Sequence, residues 1–252
     1  MRVAGAGQAV FALTMLVIGI MGVLSGEFAP VWAPVPQQVP LREPLLYLSG
    51  VLSLACGAGL LWPRSARPAA ALLFVVLLSW WLLFRVPVVL RAPRVEVSWE
   101  GCAETAVILA GVWILWAQSA ADRRTWRGNA GVYAARSLYG LALIPFGLAH
   151  FFYVKETAAL VPHWLPAPAF WAHLTGCAYL AAGAAILTGV RARLAAALST
   201  VQMGLFTLLV WVPIVAAGHG SRGDWSETIL SLALTASGWV VTDSYRRRSR
   251  AR

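Results

Sequence analysis

The feature that most constrains this chain is a series of apolar segments, each long enough to cross a lipid bilayer. A hydrocarbon core of about 30 Å requires roughly 17 to 25 mostly apolar helical residues. Eight segments meet this condition, at approximately residues 8–26, 44–62, 69–90, 101–118, 135–153, 168–188, 194–216 and 226–243. No stretch between them is long enough to bury a separate water-soluble core, which excludes a soluble multidomain enzyme. The sequence therefore predicts an all-α, polytopic membrane protein with eight transmembrane helices.

The positions of the basic residues predict the orientation of these helices. If the amino terminus is cytoplasmic, fourteen of the twenty basic residues lie on the cytoplasmic side, with only Asp122 and Asp243 of the ten acids. This excess of positive charge on one side follows the positive-inside rule and predicts that both termini are cytoplasmic. The basic tail at residues 246–252 directly follows the last segment, so we expect it to bind anionic lipid headgroups rather than nucleic acid.

An internal repeat divides the chain into two halves. Residues 48–89 align with residues 174–215 without a gap, and 19 of these 42 pairs are identical. The alignment predicts a first four-helix unit at 1–122, a cytoplasmic linker at 123–134, a second unit at 135–245 and the tail at 246–252. Because each unit has an even number of helices, both enter the membrane in the same orientation, and the expected fold is two parallel-related four-helix bundles.

Four glycines at corresponding positions predict close helix contacts. Gly50 and Gly57 in the first unit, and Gly176 and Gly183 in the second, are each seven residues apart and so share a helix face. Small residues on such a face allow a neighbouring helix to approach closely.

The ionisable residues of the segments concentrate at their outer ends, which predicts an outer-face pocket in the second unit. All four histidines belong to that unit. The candidate ligand-binding residues are His150, Tyr153, His163, Trp164, His173 and Glu227. Histidine and carboxylate side chains exchange protons near neutral pH, so this group is suited to hydrogen-bonding a quinone carbonyl and relaying its proton. The alternative is that each is an interfacial residue bonded to a neighbour or to water.

We expect the other polar residues to have structural roles rather than to bind a ligand. Arg85 can pair with Glu104, and Arg222 with Glu227 or Asp224, which neutralises charges near the membrane interface. No helix carries a metal-ligand spacing of histidines, so no metal site is predicted. The glycine-rich GHGSRG at 218–223 lacks the preceding strand of a dinucleotide-binding fold and predicts a turn.

The second unit resembles the DoxX family of small bacterial membrane proteins. The resemblance depends on GLAHFFYVKETAALVPHWLP, followed by FWAHLTGCAYLAAGAAILTGVRARLAA, and the whole chain resembles two fused copies. It implies a bacterial inner-membrane protein built from four-helix bundles. Some members of the family are the membrane subunit of thiosulfate:quinone oxidoreductase, and others join membrane redox complexes. Family members often carry a glutamate three residues after the glycine of the second span, where this chain has Ser53 and Tyr179.

Two functions follow as expectations. The first is a quinone-linked redox component, or the membrane anchor of a redox complex with another membrane subunit as its partner. In that case His150 and His173 donate hydrogen bonds, Glu227 orients or relays protons, and the first unit is scaffold. The second is a non-enzymatic scaffold, an assembly partner or a carrier of a small hydrophobic solute.

Overall fold

The computed structural model describes residues 5–118, 128–218 and 220–249, and within these ranges every regular element is helical. The helices are α1 (Ala6–Ser25), α2 (Arg42–Leu61), α3 (Ala66–Trp80), α4 (Val86–Arg91), α5 (Glu96–Gln118), α6 (Asn129–Phe152), α7 (Val154–Ala159), α8 (Pro168–Thr188), α9 (Ala192–Phe206), α10 (Val212–Ala216) and α11 (Arg222–Ser249). A π-helical turn joins α3 to α4, and another joins α9 to α10, so that each pair forms one continuous helical run. In the described ranges, seven helical runs are long and apolar enough to cross a membrane.

α11 is the remaining long helix, and it is less apolar than those seven because other helices surround it. It packs against α1, α5 and α9, and the side chains of Ala233, Ala236 and Ser237 are completely buried. Hydroxyl groups on α11 bond to other helices: Ser231 Oγ lies 2.8 Å from Thr207 Oγ1, for example. A helix enclosed by protein needs small side chains and satisfied hydroxyl groups rather than large apolar residues facing lipid.

The two π turns lie at corresponding places in the two halves. They span Trp81–Arg85 and Thr207–Trp211, 126 residues apart, and each is followed two residues later by a proline, Pro87 or Pro213. Proline lacks the N–H that continues the α-helical hydrogen-bond ladder, and a π turn is one way in which a helix adjusts to such a break. The same offset of 126 residues relates the first residues of α2 and α8, of α3 and α9, and of α5 and α11.

The helices pack in one continuous order rather than as two separate groups. In the first half α1 contacts α2, α2 contacts α3 and α3 contacts α5; in the second half α6, α8, α9 and α11 follow the same order. The halves meet where α5 packs against α6, where α11 packs against α1, and where α5 and α11 contact each other. At this last contact, a Cβ atom added to Gly111 would lie 3.0 Å from the Cβ of Ser237, the residue 126 positions later.

The predicted glycine contacts are confirmed in both halves. A Cβ added to Gly57 would lie 2.9 Å from the carbonyl oxygen of Ala12, and one added to Gly183 would lie 2.8 Å from that of Gly140. Because the obstructing atoms are backbone atoms, a side chain at either glycine would force the helices apart.

The boundaries of the predicted linker and tail differ from those of the helices. α6 begins at Asn129, inside the predicted linker, and α11 extends to Ser249, inside the predicted tail. Residues 123–127 of the linker, residues 250–252 of the tail and His219 of the predicted turn lie outside the described residues.

Candidate functional site

A cavity of about 200 Å³ lies in the second half, near the end of the helices that the sequence predicts to face outward. Side chains from α6, α8, α9 and the second π turn surround it, and α7 with the segment that follows covers one side. Its wall is mostly apolar, with Leu160, Val161, Leu165, Leu205 and Phe206 among the lining residues. Ligand cavities are commonly apolar with a small number of placed polar groups.

His150 is the one histidine in this wall. Its side chain is buried, with 8 % of the residue exposed, and its ring lies between Tyr179 and Phe206, with centroid distances of 5.7 and 5.8 Å. Nδ1 lies 2.7 Å from the carbonyl oxygen of Phe146, one helical turn earlier. Nε2 is covered and has no hydrogen-bond partner. A buried polar atom without a partner is uncommon and costly, so Nε2 is the atom of this wall that most needs a ligand.

The other polar groups of the wall are engaged in hydrogen bonds. Thr157 Oγ1 donates to the carbonyl oxygen of Tyr153 at 2.7 Å, and Thr175 Oγ1 donates to that of Trp171 at 2.9 Å. The Trp171 indole N–H donates to Pro166 at 2.9 Å, and the Gln202 amide donates to Thr175 at 3.0 Å. The bond from Gln202 joins α9 to α8 beside the cavity, and the other three lie within one helix or join it to the residues just before it.

The structure places the other histidines and aromatic residues predicted for this pocket outside its lining. His173 is exposed on α8, with Nδ1 2.6 Å from the carbonyl oxygen of Ala169 and its ring 5.5 Å from that of Phe151. Tyr153 is partly exposed at the end of α6, and its carbonyl oxygen is the acceptor for Thr157. His163 and Trp164 are exposed in the segment after α7.

Glu227 lies near acids of the first half and does not line the cavity. Its carboxylate is within electrostatic range of Glu100 and Glu104, because α5 and α11 pack together. Arg85 Nη2 lies 4.0 Å from Glu104 Oε2 and also donates to the carbonyl oxygen of Pro30 at 3.2 Å. Arg85, Glu100 and Glu104 line a second, more polar cavity of about 390 Å³ in the first half. Neither Glu227 nor the two acids near it lines the cavity at His150, but Glu100 is within electrostatic range of Tyr179, the neighbour of the His150 ring.

The last predicted charge pair involves a different acid. Arg222 forms a salt bridge with Glu27 at the end of α1, rather than with Glu227 or Asp224. Asp224 instead accepts hydrogen bonds from the backbone N–H and the hydroxyl of Ser221, both at 2.7 Å. These two donors hold the pKa of Asp224 below its ordinary value.

The first half has a packed aromatic cluster where the second half has the cavity. At the aligned positions Phe206 corresponds to Trp80, and Val210 to Phe84. The ring centroids of Trp80 and Phe84 are 4.7 Å apart, and those of Trp32 and Trp80 are 5.2 Å apart. Two larger side chains thus occupy the first half at positions whose smaller counterparts line the cavity. The alignment contains this size difference, which is a sequence signal for the cavity.

The sequence analysis also did not identify Gln202 or Trp171 as residues of the site. Their place in the wall depends on how α8 and α9 pack, which no motif indicates. Among the described residues, no group of three or more histidine, cysteine, aspartate or glutamate side chains is arranged to hold a metal ion.

Comparison with known families gives one match. Residues 131–212 match the family model for DoxX. This range runs from α6 to the start of α10 and includes every residue that lines the cavity at His150. No curated protein and no solved structure shows a significant match to the chain.

Proposed function

On the premise that residues 131–212 form a DoxX domain, we propose that the cavity at His150 binds the head group of a quinone in the membrane. The protein is then a quinone-linked redox component, or the membrane anchor of a redox complex. A bound quinone supplies reversible two-electron, two-proton chemistry, and the chain supplies the apolar enclosure and a hydrogen-bonding group.

The observation that supports this proposal is the buried, unpartnered Nε2 of His150 in an otherwise apolar wall. A lipophilic ring fits the apolar side chains, and a single oxygen substituent on that ring can form a hydrogen bond with the imidazole. The helices around the cavity belong to a membrane protein, so a ligand dissolved in the bilayer can approach the protein by lateral diffusion.

We further propose that the chain is a tandem duplication with eight spans in a bacterial inner membrane and with both termini cytoplasmic. The helices and π turns that recur after 126 residues support the duplication, and the length and burial of α11 support the eighth span. In this arrangement the first half is a scaffold whose corresponding space is filled by Trp80 and Phe84.

The experiment is an organic extraction of the detergent-purified protein, with mass spectrometry for co-purifying quinones and binding assays with decylubiquinone. The test variant is Phe206→Trp with Val210→Phe, which introduces the residues of the first half and fills the cavity. Its control is Leu208→Phe, a similar enlargement at a side chain that is 63 % exposed. We expect stoichiometric quinone in the wild type and the control, and at least a tenfold loss of affinity in the filled variant.

A second pair of variants separates the two histidines. His150→Phe keeps an aromatic ring between Tyr179 and Phe206 but removes both nitrogens, whereas His173→Phe changes a histidine outside the lining. With decylubiquinone and its reduced form as probes, we expect weaker binding of at least one of the two forms for His150→Phe and of neither for His173→Phe. If the wild type holds no quinone, or if the filled variant binds as well as the wild type, the proposal is wrong, and a scaffold or carrier role becomes the hypothesis to test.

A further inference from the structure

The hydrogen bond at Nδ1 determines what the His150 ring can offer to a ligand. A carbonyl oxygen only accepts, so the contact of 2.7 Å with Phe146 requires the proton to be on Nδ1. In the neutral imidazole the other nitrogen, Nε2, then carries a lone pair and is an acceptor.

The surroundings of the cavity favour this neutral form. None of the described residues that line the cavity is acidic or basic, apart from His150 itself. Glu227 does not line the cavity and lies near Glu100 and Glu104, and Glu100 is the acid whose charge also reaches Tyr179 beside the His150 ring. The wall therefore contains no carboxylate that would hold a proton on Nε2.

Most of the donors in the wall are already in use. The hydroxyls of Thr157 and Thr175 and the indole of Trp171 donate to backbone carbonyl oxygens, and the amide of Gln202 also donates to one. A ligand carbonyl entering this cavity meets few free donors, whereas a ligand hydroxyl that displaces the side chains covering Nε2 meets an acceptor without a partner.

We infer that the site recognises a hydroxyl-bearing aromatic head group, which in a quinone couple is the reduced hydroquinone, through an O–H donated to His150 Nε2. This inference depends on the proposed function and specifies the form of the ligand that binds. It reverses the direction of the hydrogen bond that the sequence analysis assigned to His150. The site then holds the hydroquinone more tightly than the quinone. Such a preference is expected of a site that binds the hydroquinone as a substrate for oxidation, or of one that retains it as the product of quinone reduction.

The test measures binding of three probes to the full-length protein in detergent under anaerobic conditions. The probes are a decyl-substituted benzohydroquinone, the corresponding quinone and the dimethyl ether of the same hydroquinone, which retains both oxygens but cannot donate. One hydrogen bond to a buried acceptor corresponds to roughly a tenfold difference in affinity. We expect the hydroquinone to bind about tenfold more tightly than either of the others.

Two variants test whether the preference for the hydroquinone depends on the imidazole of His150. In His150→Phe we expect the three probes to bind with equal affinity, and in His173→Phe we expect the preference of the wild type to remain. The ratio of affinities does not depend on how much of a preparation is folded. Imidazole ¹⁵N chemical shifts give a second readout, because they identify which nitrogen of His150 carries the proton.

The outcomes distinguish this inference from the proposed function. Equal binding of all three probes to the wild type, or a proton found on Nε2, overturns the inference and leaves quinone binding intact. No binding of any probe overturns both.

Discussion

At the scale of single residues, the size of two side chains separates the cavity of the second half from the packed cluster of the first. Trp80 donates its indole N–H to the carbonyl oxygen of Trp32 at 2.8 Å, and Trp32 donates its own to Ser53 Oγ at 2.9 Å. In the second half Phe206 replaces Trp80, and the wall at that point has no equivalent indole. The large aromatic side chains fill the corresponding space in the first half, and these two hydrogen bonds hold them there.

Trp80→Phe is therefore expected to destabilise the protein by about 1 to 3 kcal/mol, through the lost hydrogen bond and the space left behind. The free energy of unfolding in detergent measures this change. Trp62→Phe is the control, because Trp62 is 67 % exposed. An equal effect of the two substitutions would contradict the packing described for Trp80.

The bond between Asp224 and Ser221 predicts a local dependence on pH. The pKa of Asp224 is lowered in the folded protein, so its contribution is present above the ordinary pKa of an aspartate and is lost as the pH falls through the lowered value. We expect the Ser221 amide to lose protection against hydrogen exchange below about pH 4. Asp224→Asn should remove this step, and a variant that retains it would show that another group is responsible.

The sequence predicted some residues of the site and not others, for a physical reason. The hypothesis that histidines of the second unit line a pocket identified His150, since they had no counterparts in the first. It could not separate His150 from His173, because the way α8 packs decides that Ala172 and Thr175 line the cavity while His173 between them is exposed. It also grouped Glu227 with the histidines, although the packing of α11 against α5 decides where that carboxylate lies.

At the scale of helices, the glycines determine how closely the spans approach one another. Their spacing was sufficient to predict the contacts, because a seven-residue interval returns to the same helix face whatever the neighbouring helix is. The hydropathy of the segments predicted the helices in the same way, but the start of α6 at Asn129 and the end of α11 at Ser249 lie beyond the predicted apolar limits.

Gly183→Ala and Gly204→Ala should have opposite effects on stability. At Gly183 the new methyl would lie 2.8 Å from the carbonyl oxygen of Gly140, so α6 and α8 must separate, at a cost of about 1 to 3 kcal/mol. At Gly204 the nearest atom is Thr235 Cγ2 at 3.4 Å, an ordinary contact. There alanine should stabilise the helix by about 0.5 to 1 kcal/mol. Thermal unfolding of the two variants in one detergent compares them, and a loss of stability at Gly204 comparable to that at Gly183 would refute the argument.

At the scale of the whole molecule, the contact between α5 and α11 relates the two halves. Gly111 and Ser237, which are 126 residues apart, meet there, as expected where a pseudo-twofold axis passes between equivalent helices. The sequence alignment predicts the equivalence of the units. It does not predict that α5 packs on α6 as well as on α3, or that α11 packs on α1 as well as on α9, since these contacts depend on the shapes of surfaces distant in the chain.

The membrane topology depends on α11, because an eighth span returns the carboxyl terminus to the side of the amino terminus. With Cys56, Cys102 and Cys177 replaced by serine, single cysteines at Val190, Ser221 and Arg252 report the predicted inner loop, the predicted outer loop and the tail. In spheroplasts a membrane-impermeant maleimide should label Ser221→Cys and should label the other two only after the membrane is opened. If α11 lay along the outer surface of the membrane instead of crossing it, Arg252→Cys would be exposed to the reagent in intact spheroplasts. Immediate labelling at that position would therefore reduce the number of spans to seven and move the basic tail away from the cytoplasmic lipid headgroups to which we assign it.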